Sequence, residues 1–423
     1  MKLCEISEFV VDKINSSKLA LTDYVTTDSL LQNKRGRECA QNLPPVPCTL
    51  TSFRKGDVLV ANIRPYLKKV WLADKDGGCS SDVLAFRATN GYSSLFLYAV
   101  LMQDAFFDYV MQGAKGSKMP RGDKSQIMRY ELPTFSSLEE KNIGNFVFDI
   151  VRKIQLNCQI NDNLEAMAKQ LYDYWFVQFD FPNEEGKPYK SSGGAMVYNE
   201  KLKRKIPQGW SNDVLSDVAN ITMGQSPDGS SYNEDGEGII FYQGSTDFGL
   251  RFPNIRQYTT SPSRYANKGD ILMSVRAPVG ALNIANNDCC IGRGLSALSS
   301  KIGSMTHLYY LMNDFRLKFE GMNSAGTTFG SITKDELFSL PVIIPTKSVI
   351  SEFEQVCEPI FDKQMIIGEE INALTKQRDE LLPLLMNGQA TVNYHLSSTP
   401  TTAFGMINKA STGIIGTAKF DMD

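Results

Sequence analysis

The residues most able to do chemistry in this 423-residue chain are arginines and lysines set in loops rich in Gly, Asn, Gln, Ser and Thr. In the first third they cluster as Lys34, Arg35 and Arg37, as Arg64 with Lys68 and Lys69, and as Lys115, Lys118, Arg121 and Lys124. Cations interleaved with amides and hydroxyls suit phosphate contact combined with readout of base edges. Other chemistries are poorly supplied. The two histidines are His307 and His395, and neither sits near a zinc-ligand or Ser-His-Asp pattern. His307 opens an apolar helical run, where a polar cap-side residue is unremarkable. The eight cysteines never form C-x-x-C and read as reduced, mostly buried thiols. No G-x-x-x-x-G-K-[ST] loop occurs, and Gly292-Arg293-Gly294 lacks the third glycine of a dinucleotide fingerprint.

The elements that must position these loops repeat. Residues 56–63 read GDVLVANI and 269–275 read GDILMSV, each followed by Arg and Pro. Each half then has a polar Gly/Ser/Thr-rich loop and a short helix with a capping-box start, Asp123-x-x-Gln126 and Thr333-x-x-Glu336. Leu-Pro, an apolar strand and a long helical pattern close each half. Such spacing is a duplicated module, not a short-period solenoid. Within the modules, Val58–Ile63, Val83–Arg87, Ile239–Tyr242, Ile271–Val275 and Val342–Ile344 read as short strands. Their irregular spacing predicts a curved mixed sheet rather than a sandwich. Residues 181–210, rich in Gly, Pro, Ser and charge, read as an extended crossing strand.

The long helical patterns cover 138–176 and about 349–387. Ile143, Val147, Ile150, Ile154, Leu164, Ala168, Leu171 and Trp175 form a coiled-coil seam, with Asn157 and Asn161 in its missing places. Ile367, Ile371, Leu374, Arg378, Leu381 and Leu385 repeat that phase. A buried seam Asn selects register; a wet edge is the alternative. Pro359 marks a helix start or kink. At ~1.5 Å per residue a 39-residue rod spans roughly 60 Å and would hold the modules apart. Five aromatics within Tyr172–Phe179 exceed what a two-helix seam buries, so the cluster is either an exposed docking surface or packed on its own module.

Charge follows the same division. The whole-chain net of −3 argues against a basic nucleic-acid binder. Residues 1–135, however, hold 18 Lys+Arg against 14 Asp+Glu, and 201–345 hold 14 against 13. Residues 136–200 and 346–423 hold 6 against 10 each, so acidic rods mask mildly basic modules. No run of ~18–20 apolar residues is available to span a bilayer, and the charged first twenty residues leave no signal peptide. A cytoplasmic protein is expected, without membrane partners.

Over about residues 1–390 the chain resembles the specificity subunit of type I restriction–modification systems. The strings that carry the likeness are FRKGDVLVANIRPYLKKVW (53–71), LYDYWFVQFDFPNEEGKPYKSSGGAMVYNE (171–200), IPQGW (206–210), MGQSPDGSSYNEDGEGIIFYQG (223–244) and LTKQRDELLPLLMNGQ (374–389). The resemblance implies an α+β fold of two target recognition domains, 1–135 and 210–345, related by approximate twofold symmetry. Two long antiparallel helices, 136–180 and 346–390, would separate them, with 181–209 as the crossing linker. The tail 391–423 matches nothing in the family and is read as disordered or as a short partner contact.

The same resemblance implies the function. Each recognition domain would read one half of a split site in double-stranded DNA, and the helices would fix the gap. This chain would be non-catalytic and hold no cofactor. Two partner methyltransferase subunits would use S-adenosylmethionine to methylate adenine N6, and restriction subunits would need ATP and Mg. Matched by position, the DNA-facing residues are Gln225, Ser226, Tyr242, Gln243, Arg276, Thr327, Thr328 and Ser331. Their counterparts in the first module are Arg64, Lys68, Lys69, Lys118 and Arg121. Methyltransferase docking is expected at Tyr172, Tyr174, Trp175 and Phe176. The first module departs from the pattern, having no GQSP string. The competing reading is a duplicated scaffold that assembles partner proteins through its helices without binding DNA.

Overall fold

The structure is a computed structural model that describes residues 1–116, 118–324, 330–396 and 403–409. It divides into two units, Met1–Cys158 with Ile371–Asp423, and Gln159–Glu370. Both are α+β and share one frame. In the first unit, strands Ser7–Phe9, Val83–Ala88, Val58–Ala61 and Val70–Leu72 lie side by side in that order. In the second, Ala219–Met223, Leu295–Ser300, Ile271–Ser274 and Leu282–Ile284 do the same. Every pair in both is antiparallel. A second sheet in each unit contains one parallel pair: Tyr24–Val25 with Gly77–Cys79, and Ile239–Tyr242 with Cys289–Ile291. The duplication therefore reaches to strand order and pairing sense.

These paired sheets correct the expectation of a single curved sheet. The central strands are buried at every position, Val58–Ala61 in one unit and Ile271–Ser274 in the other. Side chains alternate across a strand. Ile271 and Met273 accordingly pack with Leu308, Met312 and Phe315 of the helix Met305–Ser324. Leu272 packs the other way, with Tyr242, Cys289 and Ile291 of the second sheet. Two covered faces leave no polar alternation to read, so the sequence pattern understated the layering. Thr333 and Glu336 form the complete capping box. At Asp123 only half forms, because the Gln126 side chain instead donates to the Tyr109 carbonyl.

The long helices run Ser137–Tyr172, continued by a π turn Asp173–Val177, and Lys347–Met386. Within the second unit they pack antiparallel: Tyr172 lies 6.4 Å from Phe353 between ring centroids, while Gln364 Nε2 donates to Glu165 at 2.9 Å. Ile143, Val147, Ile150, Ile154, Ile367, Ile371 and Leu374 are buried as a seam requires. Asn157 is buried too, which removes the wet-edge alternative for that residue. Pro359 neither starts nor ends its helix. It is exposed, so the carbonyl it leaves without an intrahelical donor can face water. The linker is not an extended strand but folds into a hairpin, Met196–Asn199 with Arg204–Pro207. Phe181 stacks on Trp210 at 5.1 Å and on Tyr189 at 4.6 Å, and that stack draws the segment back on itself. In the tail, Ala390–Leu396 pairs antiparallel with Ala403–Lys409; residues 410–423 lie outside the described residues. Among the described residues, no single helix is long and apolar enough to cross a membrane.

Candidate nucleic-acid interface

In the second unit, five segments meet where strands end. Strand Ile239–Tyr242 runs into Gln243, Cys289–Ile291 into Arg293, and Ile271–Ser274 into Arg276. A row of backbone hydrogen bonds stitches them. The Gly294 N–H donates to the Gln243 carbonyl (3.2 Å), Val275 N–H to Gly294 (2.9 Å) and Ile332 N–H to Val275 (2.9 Å). Gln225 joins through its N–H to the Ile291 carbonyl (3.0 Å), and Ser331 bridges Arg276. The approach is close enough to demand glycine. A Cβ on Gly294 would lie 2.7 Å from the Gln243 carbonyl oxygen, and one on Gly292 would lie 3.0 Å from Gln243 Cα.

These ends surround a pocket whose lining includes Ser226, Gln243, Ser245, Thr246, Arg276 and Arg293. Ser226 Oγ accepts from both the backbone N–H (3.3 Å) and Nε (3.4 Å) of Arg293. That fixes the root of the guanidinium. Asp247, just behind, accepts from the N–H groups of Gln243 (2.7 Å) and Gly244 (3.3 Å) and from Arg256 Nε (3.1 Å). Its charge is thereby occupied, and among the described residues no carboxylate lines the pocket. Ser226, Gln243 and Arg276, named from sequence, are thus brought together, with Gln225 and Ser331 exposed beside them. Arg293 was missed. Its signal was the Gly-Arg-Gly triplet, discarded as an incomplete nucleotide motif although the glycines serve close approach.

Tyr242 requires correction. It is wholly buried in the second-sheet core, and burial pushes its phenol pKa up, so its side chain is closed to any ligand at the strand ends. Its position, just before Gln243 at the strand end, made burial invisible from the string alone. Thr327 and Thr328 lie outside the described residues.

In the first unit, Arg64 is exposed and left-handed (φ 52°), and its N–H donates to the Pro120 carbonyl at 2.8 Å. The neighbouring Ile63 bridges Arg121, the counterpart of the Arg276–Ser331 bridge. Lys115 and Arg121 exchange backbone hydrogen bonds at 3.0 Å, with exposed Lys118 between them. The cations here are largely committed to acids: Arg121 to Asp82 (3.1 Å), and Lys68 to Asp104 (3.0 Å), which also holds buried Lys34 (2.7 Å). Lys69 is a second correction. Lys68 is left-handed (φ 50°), and the chain enters its strand at Val70. Lys69 between them is buried, its Nζ donates to the Thr27 carbonyl, and burial lowers its pKa.

The helix aromatics are a third. Tyr172, Trp175 and Phe176 are buried with Phe179, Phe181, Trp210, Tyr310 and Phe353 in one core of the second unit, so they are not an exposed docking cluster. The linker hairpin and helix Met305–Ser324 supply the burial that a two-helix seam lacks. Only Tyr174 is exposed, at 37%. It closes a row on the outward side of the first helix, Ile160 (44%) and Met167 (53%) seven residues apart, with exposed Asn163 and Gln170 between. Charges Asp162, Glu165, Lys169 and Asp173 fall on its other sides, as 100° per residue requires. His307 is buried among Tyr172 and Phe176 with no hydrogen bond to its Nδ1, and desolvation lowers its pKa to about 3. It is a neutral core histidine.

Comparison with known proteins decides the family. Residues 207–380 match the type I restriction modification DNA specificity domain. The chain is 30% identical over 306 residues to a provisionally named type I restriction enzyme MjaX specificity subunit of Methanocaldococcus jannaschii, covering 71% of this chain and 68% of that protein. The chain belongs to the type I restriction enzyme specificity subunits. It is 25% identical over 362 residues to the MjaIX specificity subunit of the same organism (82% of this chain, 80% of that one). Its fold resembles the crystal structure of the type I restriction–modification S subunit from M. genitalium, with a TM-score of 0.57, 14% identity and 91% and 95% of the two chains covered.

Proposed function

We propose that this specificity subunit is the DNA-recognition component of a type I restriction–modification complex, reading a bipartite site through its two modules. The pocket at the strand ends of the second unit, lined by two arginines and, among the described residues, by no acid, carries this reading. Phosphates demand donors without competing carboxylates, and the exposed amide of Gln225 and hydroxyl of Ser331 beside the pocket suit base edges. Gln225, Ser226, Gln243, Arg276, Arg293 and Ser331 serve one half-site. Arg64, Lys68, Lys118 and Arg121 serve the other, and the long helices set the gap. Methylation of adenine N6 with S-adenosylmethionine, and ATP- and Mg-dependent cleavage, belong to two methyltransferase subunits and to restriction subunits in the cytoplasm. This chain binds and orients, without chemistry or cofactor of its own. The uncharged row Ile160–Met167–Tyr174 replaces the buried aromatics as the methyltransferase-docking face.

Methylome sequencing of cells with and without the gene tests the proposal. Loss of one bipartite N6-methyladenine motif is expected on deletion; an unchanged methylome would favour the scaffold reading. Methyl transfer by the purified chain alone would overturn its non-catalytic assignment.

A further inference from the structure

We propose that the pocket between Arg276 and Arg293 clamps one backbone phosphate of duplex DNA and does not read a base. The inference rests on the DNA-recognition reading and sharpens it, because it assigns the chemistry of the ligand. Three observations carry it.

The first is shape. Base edges lie at the floor of a major groove ~8.5 Å deep, so a side chain that reads them must project from its loop. Here exposed Arg276 and Arg293 line a recess together with Ser226, Gln243 and Thr246. A recess receives a group that projects from the duplex, and the projecting group of a duplex is the phosphate.

The second is donor chemistry. Among the described residues the lining is hydroxyl, amide and guanidinium, with no aromatic ring to stack on a base. A phosphate offers only acceptors. Arginine is the side chain that meets it with two parallel N–H donors. Ser226 Oγ already accepts twice from Arg293, so its own proton is free to join them.

The third is availability and rigidity. Among the described residues neither Arg276 nor Arg293 is ion-paired, whereas Arg121 and Lys68 of the first unit are. Gly294 joins the two arginine-bearing segments, accepting from Val275 while it donates to Gln243. The separation of the two guanidinium roots is therefore set by backbone, as a fixed tetrahedral anion requires. Asp247, which accepts from the Gln243 and Gly244 N–H groups at the pocket's edge, also pairs with Arg256.

The test uses the complex of this chain with its methyltransferase subunits and two duplexes, one carrying the motif found by methylome sequencing and one scrambled. Arg276→Gln and Arg293→Gln should each weaken binding roughly tenfold on both duplexes. Each should also reduce the slope of log affinity against log salt by about one and leave the methylated motif unchanged. Relaxation of the motif at one base pair, with the scrambled duplex unaffected, would make the pocket a base reader and overturn the proposal. Unaltered affinity in both variants would overturn it as well. Failure of the wild-type complex to bind either duplex would instead sink the DNA-recognition reading. A second measurement guards against variants that do not assemble: neutral methylphosphonate linkages are placed one at a time along the wild-type target. One linkage should weaken wild-type binding; if none does, the clamp does not exist.

Discussion

The two units share strand order and pairing sense yet spend their cations differently. The first segment has the larger positive excess, 18 Lys+Arg against 14 Asp+Glu, but its structure ties Lys68 to Asp104 and Arg121 to Asp82 and buries Lys69. The second has 14 against 13 and leaves Arg276 and Arg293 lining a pocket with no acid among the described residues. Net charge is a poor measure of available charge, because an ion pair cancels locally what a count adds globally. A related contrast lies where a reverse loop of each unit meets a long helix. In the first, buried Lys34 reaches Asp104 and Asp379, both half-exposed carboxylates. In the second, Arg251 bonds Gln364 at 3.1 Å, lies 3.5 Å from Glu165 and covers the rings of Tyr309 and Phe361. Phe252 beside it is wholly buried, and a Cβ on Gly368 would sit 2.6 Å from its ring.

This contrast is open to attack at several depths. Phe252→Ala should destabilise the second unit by about 3–5 kcal/mol in denaturant unfolding, the range for emptying a buried aromatic site. A loss below about 1 kcal/mol would mean that the loop is not anchored as described. Arg251→Met should cost about 2–3 kcal/mol, since it strands the partly buried Glu165 and Tyr310 network. Lys34→Met should cost about 1 kcal/mol, because water already screens its partners. Equal losses from the two changes would erase the distinction between the anchors.

His307 separates the units by pH. It occupies the place of Phe96: Ser304 Oγ accepts the His307 N–H at 3.0 Å as Ser93 Oγ accepts that of Phe96 at 3.1 Å. The folded pKa of about 3 lies below the unfolded value near 6.5, so only the unfolded chain takes up a proton between them. Stability is complete above about pH 6.5 and falls by up to ~1.4 kcal/mol per unit as pH drops toward 3. His307→Phe should flatten that slope in a pH series of thermal melts, and an unaltered slope would place the titration elsewhere. The smallest effect is expected at Lys68→Gln. Its pairing with Asp104 should limit the loss of DNA affinity to about two- to threefold in a salt-controlled titration, against the roughly tenfold expected at Arg276. A tenfold loss at Lys68 would show that ion pairing does not withhold the charge.

Much of the architecture was legible because its signals are local. The Gly-Asp strand starts, the Thr333–Glu336 box and the 3,4-spaced apolar seam each depend on a few neighbouring residues, and each reappears in the structure. The site was legible only in part. Ser226, Gln243 and Arg276 came from matched strings, but Arg293 needed the knowledge that Gly292 and Gly294 lie against Gln243, a contact of long sequence separation. The aromatic run misled for a similar reason. Its fate depends on Trp210 and Phe353, which the chain brings back from 35 and 178 residues beyond Trp175.

By itself the sequence determined that the chain is a duplicated module with two long helices and a polar, cationic set of loops, since periodicity, caps and repeats are properties of neighbouring residues. Tertiary structure alone decided which cations remain available, which aromatics face water and which backbone segments touch. Those outcomes depend on burial and ion pairing between distant segments. Adjacent Lys68 and Lys69 are the same residue type, yet one meets half-exposed Asp104 while the other is buried against a carbonyl.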